Sequence, residues 1–122
     1  MSQSKPWGWD CAIDGGCCNP IKIRDAENIR AFSKELVEAI DMEAFGDPII
    51  VHFGKDDKCG YTLVQLISTS NIVCHFSEDS SSLFLNVFSC KPFDKLVVKD
   101  VVKKYFECEY MTMSMLERSV PQ

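Results

Sequence analysis

Two apolar spacings alternate along the chain. At Ile29, Phe32, Leu36, Val37 and Ile40 apolar residues recur every three or four positions, with Arg30, Lys34, Glu35, Glu38 and Asp41 on the other side. This spacing predicts an amphipathic helix over residues 26–42, capped by Asp25 and ended before Gly46 and Pro48. A second helix opens at Pro92 and Asp94. Leu96, Val97, Val101, Val102, Tyr105 and Phe106 give it an apolar face, and Lys95, Lys99, Lys103 and Lys104 a solvated one. Elsewhere the apolar residues are β-branched or alternate with a period of two. Trp7–Ile13, Pro48–Phe53, Tyr61–Ile67, Ser70–Phe76, Leu83–Phe88 and Glu109–Leu116 read as strands. Asp14-Gly15-Gly16 reads as a turn, Cys17–Arg24 as a loop with Asn19-Pro20, Gly54–Gly60 as a glycine-bounded loop, and Ser77–Ser82 as a turn.

The order β-α-β-β-β-β-α-β predicts an α+β fold, a mostly antiparallel sheet with both helices on one face. The hairpin of the fourth and fifth strands can be registered from its turn. If the turn centres on Asp79-Ser80, paired residue numbers sum to about 160, so Ser70 lies opposite Cys90 and Cys74 near Asn86. One face then carries Ser70, Ile72, Cys74, Phe76, Phe84, Phe88 and Cys90, the other Val73, His75, Leu83, Leu85 and Val87. Both faces are largely apolar, so both need cover, and two helices cover one. A second copy of the chain is the simplest cover for the other, which predicts a homodimer with sheets stacked as an αββα sandwich.

Composition narrows the classes. The chain has 122 residues, enough for one domain with an ordinary core, and 46% hydrophobic residues. A net charge of −5 argues against a nucleic-acid or anionic-membrane surface. No apolar run approaches a membrane span, and M-S-Q-S-K-P-W has no apolar core of a secretory signal, so a cytoplasmic location is expected. There are seven cysteines, an odd number, scattered without a C-x-x-C pair. They read as free thiols in a reducing compartment, mostly as small buried hydrophobes, and no metal site is expected.

The stretch from Gln65 to Cys90 gathers the candidate chemistry: the hydroxyls of Ser68, Thr69 and Ser70, the imidazole of His75 and the thiol of Cys90. A serine or cysteine hydrolase is a generic possibility. However, the G-x-S-x-G elbow is missing and no acid is placed to orient His75. Serines at a strand start, a core histidine and a buried thiol account for the pattern equally well.

The stretch resembles the small prokaryotic form of S-adenosylmethionine decarboxylase. In that family a serine at a strand start is followed by a histidine five residues on and a cysteine twenty residues on, and Ser70, His75 and Cys90 match that spacing, with N-V-F-S-C at the end. G-W-D-C-A-I-D-G-G-C is similar to the family's first strand and Cys-containing loop, I-V-H-F to the strand bearing an adenine-stacking phenylalanine, and the segment ending M-L-E-R to its last strand. The resemblance covers nearly the whole chain. It implies self-cleavage between Thr69 and Ser70 into residues 1–69 and 70–122, leaving a covalent pyruvoyl cofactor at position 70. That group forms a Schiff base with the substrate amine and acts as an electron sink during decarboxylation. By the same resemblance His75 assists processing, Cys90 returns a proton to the α-carbon, Phe53 stacks on adenine, and Asp79 or Glu78 binds the ribose hydroxyls. The product would serve spermidine synthesis.

The chain departs from the family in three places. Ser68-Thr69 precede Ser70 where an acid is common, Asn71 follows it where histidine is common, and Ser77-Glu78-Asp79 stands where the family has W-P-E. Two alternatives therefore stay open: a decarboxylase of arginine or ornithine on the same scaffold, and a non-processing homologue that binds a partner. The odd spacing of Ser70 and His75 also puts them on opposite faces of a regular strand, so their meeting requires a bulge or a distorted Ser70.

Overall fold

The computed structural model describes residues 5–121; the leader reading of Met1–Ser4 and the tail residue Gln122 lie outside them. Six strands and two helices follow the expected order: β1 (Gly8–Gly16), α1 (Ala26–Ala39), β2 (Ile49–Phe53), β3 (Gly60–Ile67), β4 (Ser70–Ser77), β5 (Ser82–Ser89), α2 (Lys95–Phe106) and β6 (Tyr110–Arg118). All pairings are antiparallel, in the spatial order β2-β3-β4-β5-β1-β6. This is the α+β architecture the periodicities predict. No helix is long and apolar enough to cross a membrane among the described residues.

Both helices are capped by an aspartate. Asp25 Oδ1 accepts from the N–H groups of Glu27 and Asn28, at 3.0 and 3.3 Å, and Asp94 Oδ1 accepts from Leu96 N–H at 2.9 Å. They lie side by side on one face of the sheet. Phe32 of α1 meets Phe106 of α2 edge-on at 4.8 Å between centroids, and Phe76 of β4 reaches Phe106 at 4.9 Å. Around them Ile29, Leu36, Leu63, Ile72, Leu83, Val87, Val98 and Val102 are fully buried. Leu96, counted with the apolar face of the second helix, is exposed instead, in the first turn of α2.

Two expectations are corrected. Asp14-Gly15-Gly16 is not a turn. It continues β1, where Gly15 pairs with Leu83 and with Met111, and Gly16 with Tyr110. Glycine is required here by close approach: a Cβ on Gly15 would sit 2.9 Å from Cys108 Sγ. The β4–β5 register is also one residue from that expected. Ser77 pairs with Ser82 and Asn71 with Phe88, so Ser70 is level with Ser89 rather than Cys90, and Cys74 with Leu85 rather than Asn86. A one-residue shift exchanges the faces of β5. Leu83, Leu85 and Val87 therefore join Ile72, Cys74 and Phe76 under the helices, while Phe84 and Phe88 join Val73 and His75 on the open face.

Among the described residues no helix or second sheet covers that open face, although Trp7 stacks on Phe88 at one end of it. Ile49, Val51, Leu66, Phe84 and Leu116 are each about half exposed on it. Toward β1 and β6 it becomes polar, with Asn86 bonded to Asp10 and Asp10 held by Arg118 at 3.0 Å. All seven cysteines are free, four of them buried. Cys18 and Cys108 lie 2.7 Å apart and share a hydrogen bond, which pushes the Cys18 thiol far up and holds Cys108 below its ordinary value; burial pushes Cys11 and Cys74 up.

Candidate active site

β3 and β4 are joined by two residues, Ser68 and Thr69, with Ile67 paired to Ser70. So tight a link forces one residue into a left-handed conformation, and here it is Thr69, at φ +55°. A β-branched side chain is an outlier in that region, and such a conformation costs about 1–3 kcal/mol. Side-chain bonds hold it in place. Thr69 Oγ1 donates to the Ser68 carbonyl at 2.7 Å and meets Cys90 Sγ at 2.6 Å. Either atom of that pair can donate, and the contact ties the Cys90 thiol to the residue on the N-terminal side of the Thr69–Ser70 bond.

Ser70 begins β4 and is nearly buried, at 7% exposure. Its Oγ accepts from Cys90 N–H at 3.3 Å. Thr69, Ser70 and Cys90 are thus brought together, although Cys90 arrives from the residue after β5 and not from the paired position. A cavity of about 470 Å³ opens here, lined by Ser68, Thr69, Cys90, Ile67, Met42 and Glu43. Lys91 is anchored at its rim by Asp41, through the side chain at 3.1 Å and the backbone carbonyl at 2.7 Å.

His75 is elsewhere. β4 pairs regularly along its length, with no bulge, so His75 points to the open face while Ser70 points under the helices. Five residues of strand also separate them by about 17 Å. The chain contains two histidines, and His52 is level with Tyr61, at the same far end of β3. No imidazole of a single chain reaches the Thr69–Ser70 bond. What His75 does meet is Thr62 across the β3–β4 pair, Oγ1 to Nδ1 at 3.1 Å, which fixes the ring.

Around His75 lies a second cavity, of about 550 Å³, lined by Phe53, Thr62, Phe84, Ser77 and Ser80. Phe53 is exposed and aromatic within it. Of the two carboxylates expected beside it, Asp79 is exposed in the β4–β5 turn. Glu78 turns away, its Oε2 on His52 Nε2 at 2.7 Å. The sequence-derived site is therefore two clusters at opposite ends of β4: Thr69, Ser70 and Cys90 at one, Phe53 and His75 at the other. Sequence reasoning missed Thr62 and Phe84. Thr62 opposite His75 follows from the two-residue β3–β4 link, whereas Phe84 lies opposite His75 only in the β4–β5 register one residue from that expected.

A family model described as S-adenosylmethionine decarboxylase matches residues 9–119. The chain belongs to the S-adenosylmethionine decarboxylase family. It is a decarboxylase on that ground, in a family that generally uses a pyruvoyl group. No curated protein sequence matches it significantly. Among solved structures, the adenosylmethionine decarboxylase of Aquifex aeolicus VF5 superposes with a TM-score of 0.82, covering 98% of this chain and 96% of that one. At 18% identity this likeness shows a shared fold.

Proposed function

We propose that the chain matures by cutting its own Thr69–Ser70 bond, and that a pyruvoyl group left at position 70 serves the decarboxylation of S-adenosylmethionine in a homodimer of processed protomers. The observation that carries this reading is the backbone of Thr69, held left-handed against its β-branched preference on the peptide to be cut. Attack of Ser70 Oγ on the Thr69 carbonyl carbon breaks the peptide C–N bond and forms an ester. Removal of the Ser70 α-proton expels the Thr69 carboxylate, and uptake of water with loss of ammonia leaves the ketone. Cleavage releases the strained turn, so the strain favours the cut state.

The pyruvoyl group supplies an electron sink for the substrate's α-carbon. Around it Cys90, whose thiol meets the Thr69 hydroxyl, is suited to return a proton to carbon after carbon dioxide leaves. At the other end of β4, Phe53 lines the second cavity and offers a ring for a flat base, and Asp79, exposed in the adjoining turn, offers a carboxylate for ribose hydroxyls. Within one chain these ends are about 17 Å apart. Stacking the open faces of two antiparallel copies would bring His75 and Phe53 of one copy toward the β3–β4 link of the other, where the Thr69–Ser70 peptide bond lies. It would also cover Ile49, Val51, Leu66 and Phe84. The product, decarboxylated S-adenosylmethionine, would serve as an aminopropyl donor for spermidine synthesis.

Carbon dioxide release with carboxyl-labelled S-adenosylmethionine, arginine and ornithine side by side tests the substrate. Release from S-adenosylmethionine alone is expected. Release from arginine or ornithine would reassign the substrate on the same scaffold, and release from none would mark a non-enzymatic homologue.

A further inference from the structure

Beside the Phe53 cavity, three side chains of different chemistry converge from three segments. His52 comes from the end of β2, Cys59 from the residue before β3, and Glu78 from the residue after β4. His52 Nε2 lies 2.7 Å from Glu78 Oε2 and 3.9 Å from Cys59 Sγ, and all three ligand atoms fall within 4.8 Å of one another. We propose that His52, Cys59 and Glu78 bind one divalent transition-metal ion of the zinc class, with water at the fourth position.

The donor set fits that ion. Imidazole nitrogen, thiolate sulfur and carboxylate oxygen are the three ligand types of zinc, with bonds of about 2.0–2.3 Å. A tetrahedral ion at those bond lengths holds its ligands about 3.3–3.6 Å apart. The separations of 2.7 and 3.9 Å bracket that range, so small rotations suffice to seat the ion. Charge also closes: one thiolate and one carboxylate balance a divalent cation, with a neutral imidazole. Magnesium and calcium, which prefer oxygen ligands, fit poorly.

The backbone already holds the ligands in place. Glu78 N–H donates to the Cys59 carbonyl at 3.0 Å, and Cys59 N–H to the Asp56 carbonyl at 3.2 Å. Between them Gly60 lies so close to β4 that a Cβ would meet the Phe76 carbonyl oxygen at 1.9 Å. Arg24 donates to the Glu78 carbonyl at 3.2 Å, and the edge of the His52 ring packs on Tyr61. The His52 side chain remains 43% exposed, leaving an entry path and room for the water. The absence of a C-x-x-C pair predicted no metal. Strand pairing brings the ligands together instead, from residues 52, 59 and 78. The ion would tie the loop end of the β2–β3 hairpin to the β4–β5 turn, one residue from Phe53. It would also keep Glu78 from substrate.

The test is a cobalt(II) titration of chelator-treated protein, in a Ser70→Ala background so that processing plays no part. The expected result is one equivalent bound, with a thiolate-to-cobalt charge-transfer band and the visible spectrum of a tetrahedral ion. Zinc should displace the cobalt and raise Tm. Cys59→Ser should abolish the charge-transfer band, and His52→Ala should weaken affinity by more than about 100-fold. Cys17→Ser, at an exposed thiol outside the cluster, should change neither. No charge-transfer band, or a band that survives Cys59→Ser, would overturn the proposal and leave His52–Glu78 as a simple ion pair.

Discussion

Ser70→Ala leaves a single full-length chain and no measurable carbon dioxide release. The substitution removes one oxygen. Ser70 Oγ accepts from Cys90 N–H at 3.3 Å, and losing one such bond costs about 1 kcal/mol, too little to unfold a core of this size. The fold should therefore persist while both activities disappear, because the same oxygen is the nucleophile of cleavage and the precursor of the cofactor. Circular dichroism and a thermal melt beside the mass spectrum separate loss of chemistry from loss of fold. If Ser70→Ala still yields fragments breaking at position 70, the nucleophile is another group.

His75→Ala is expected to slow cleavage by about 10²–10⁴-fold, the usual contribution of a positioned acid or base. The informative result is the mixture. In one chain His75 faces away from Ser70, about 17 Å along the strand. If a second copy delivers the imidazole, co-expression of Ser70→Ala with His75→Ala restores cutting. Only the His75→Ala chain, which keeps its serine, should be cut, and the fragment from residue 70 onward should carry alanine at 75. A mixture that stays uncut while the wild type cuts would place the assisting group within the chain. The same stacking would make the wild type a dimer in sedimentation, covering an open face on which Ile49, Val51 and Phe84 are about half exposed.

Much of the fold was legible because local signals agreed. The helices were marked by three- and four-residue spacing plus an aspartate cap, and β3 and β4 by alternation on either side of a short polar link. What failed depended on partners far along the chain. Gly15 and Gly16 have the composition of a turn, but β6 arrives to pair with them, a contact spanning most of the sequence. The β4–β5 register failed by one residue, since the Ser-rich turn offers no single residue that fixes its centre, and one residue exchanges the faces of Phe84 and Leu83.

The candidate site divides in the same way. Cys90 was placed near Ser70 from hairpin length, and the contact holds despite the shifted register because Cys90 lies just past the end of β5. The separation of His75 from Ser70 was already implied by their odd spacing. The conformation of Thr69 could not be read from its identity, since threonine disfavours a left-handed backbone and only the shortness of the β3–β4 link imposes it. The His52, Cys59 and Glu78 cluster was equally hidden, because no local spacing connects ligands brought together by strand pairing.

Intact-mass measurement of the purified wild-type chain after prolonged incubation tests the central claim most directly. Self-cleavage predicts two masses, one for residues 1–69 ending in a free carboxylate and one for residues 70–122 with a ketone in place of its terminal amine. A single full-length mass that does not change with time would contradict it.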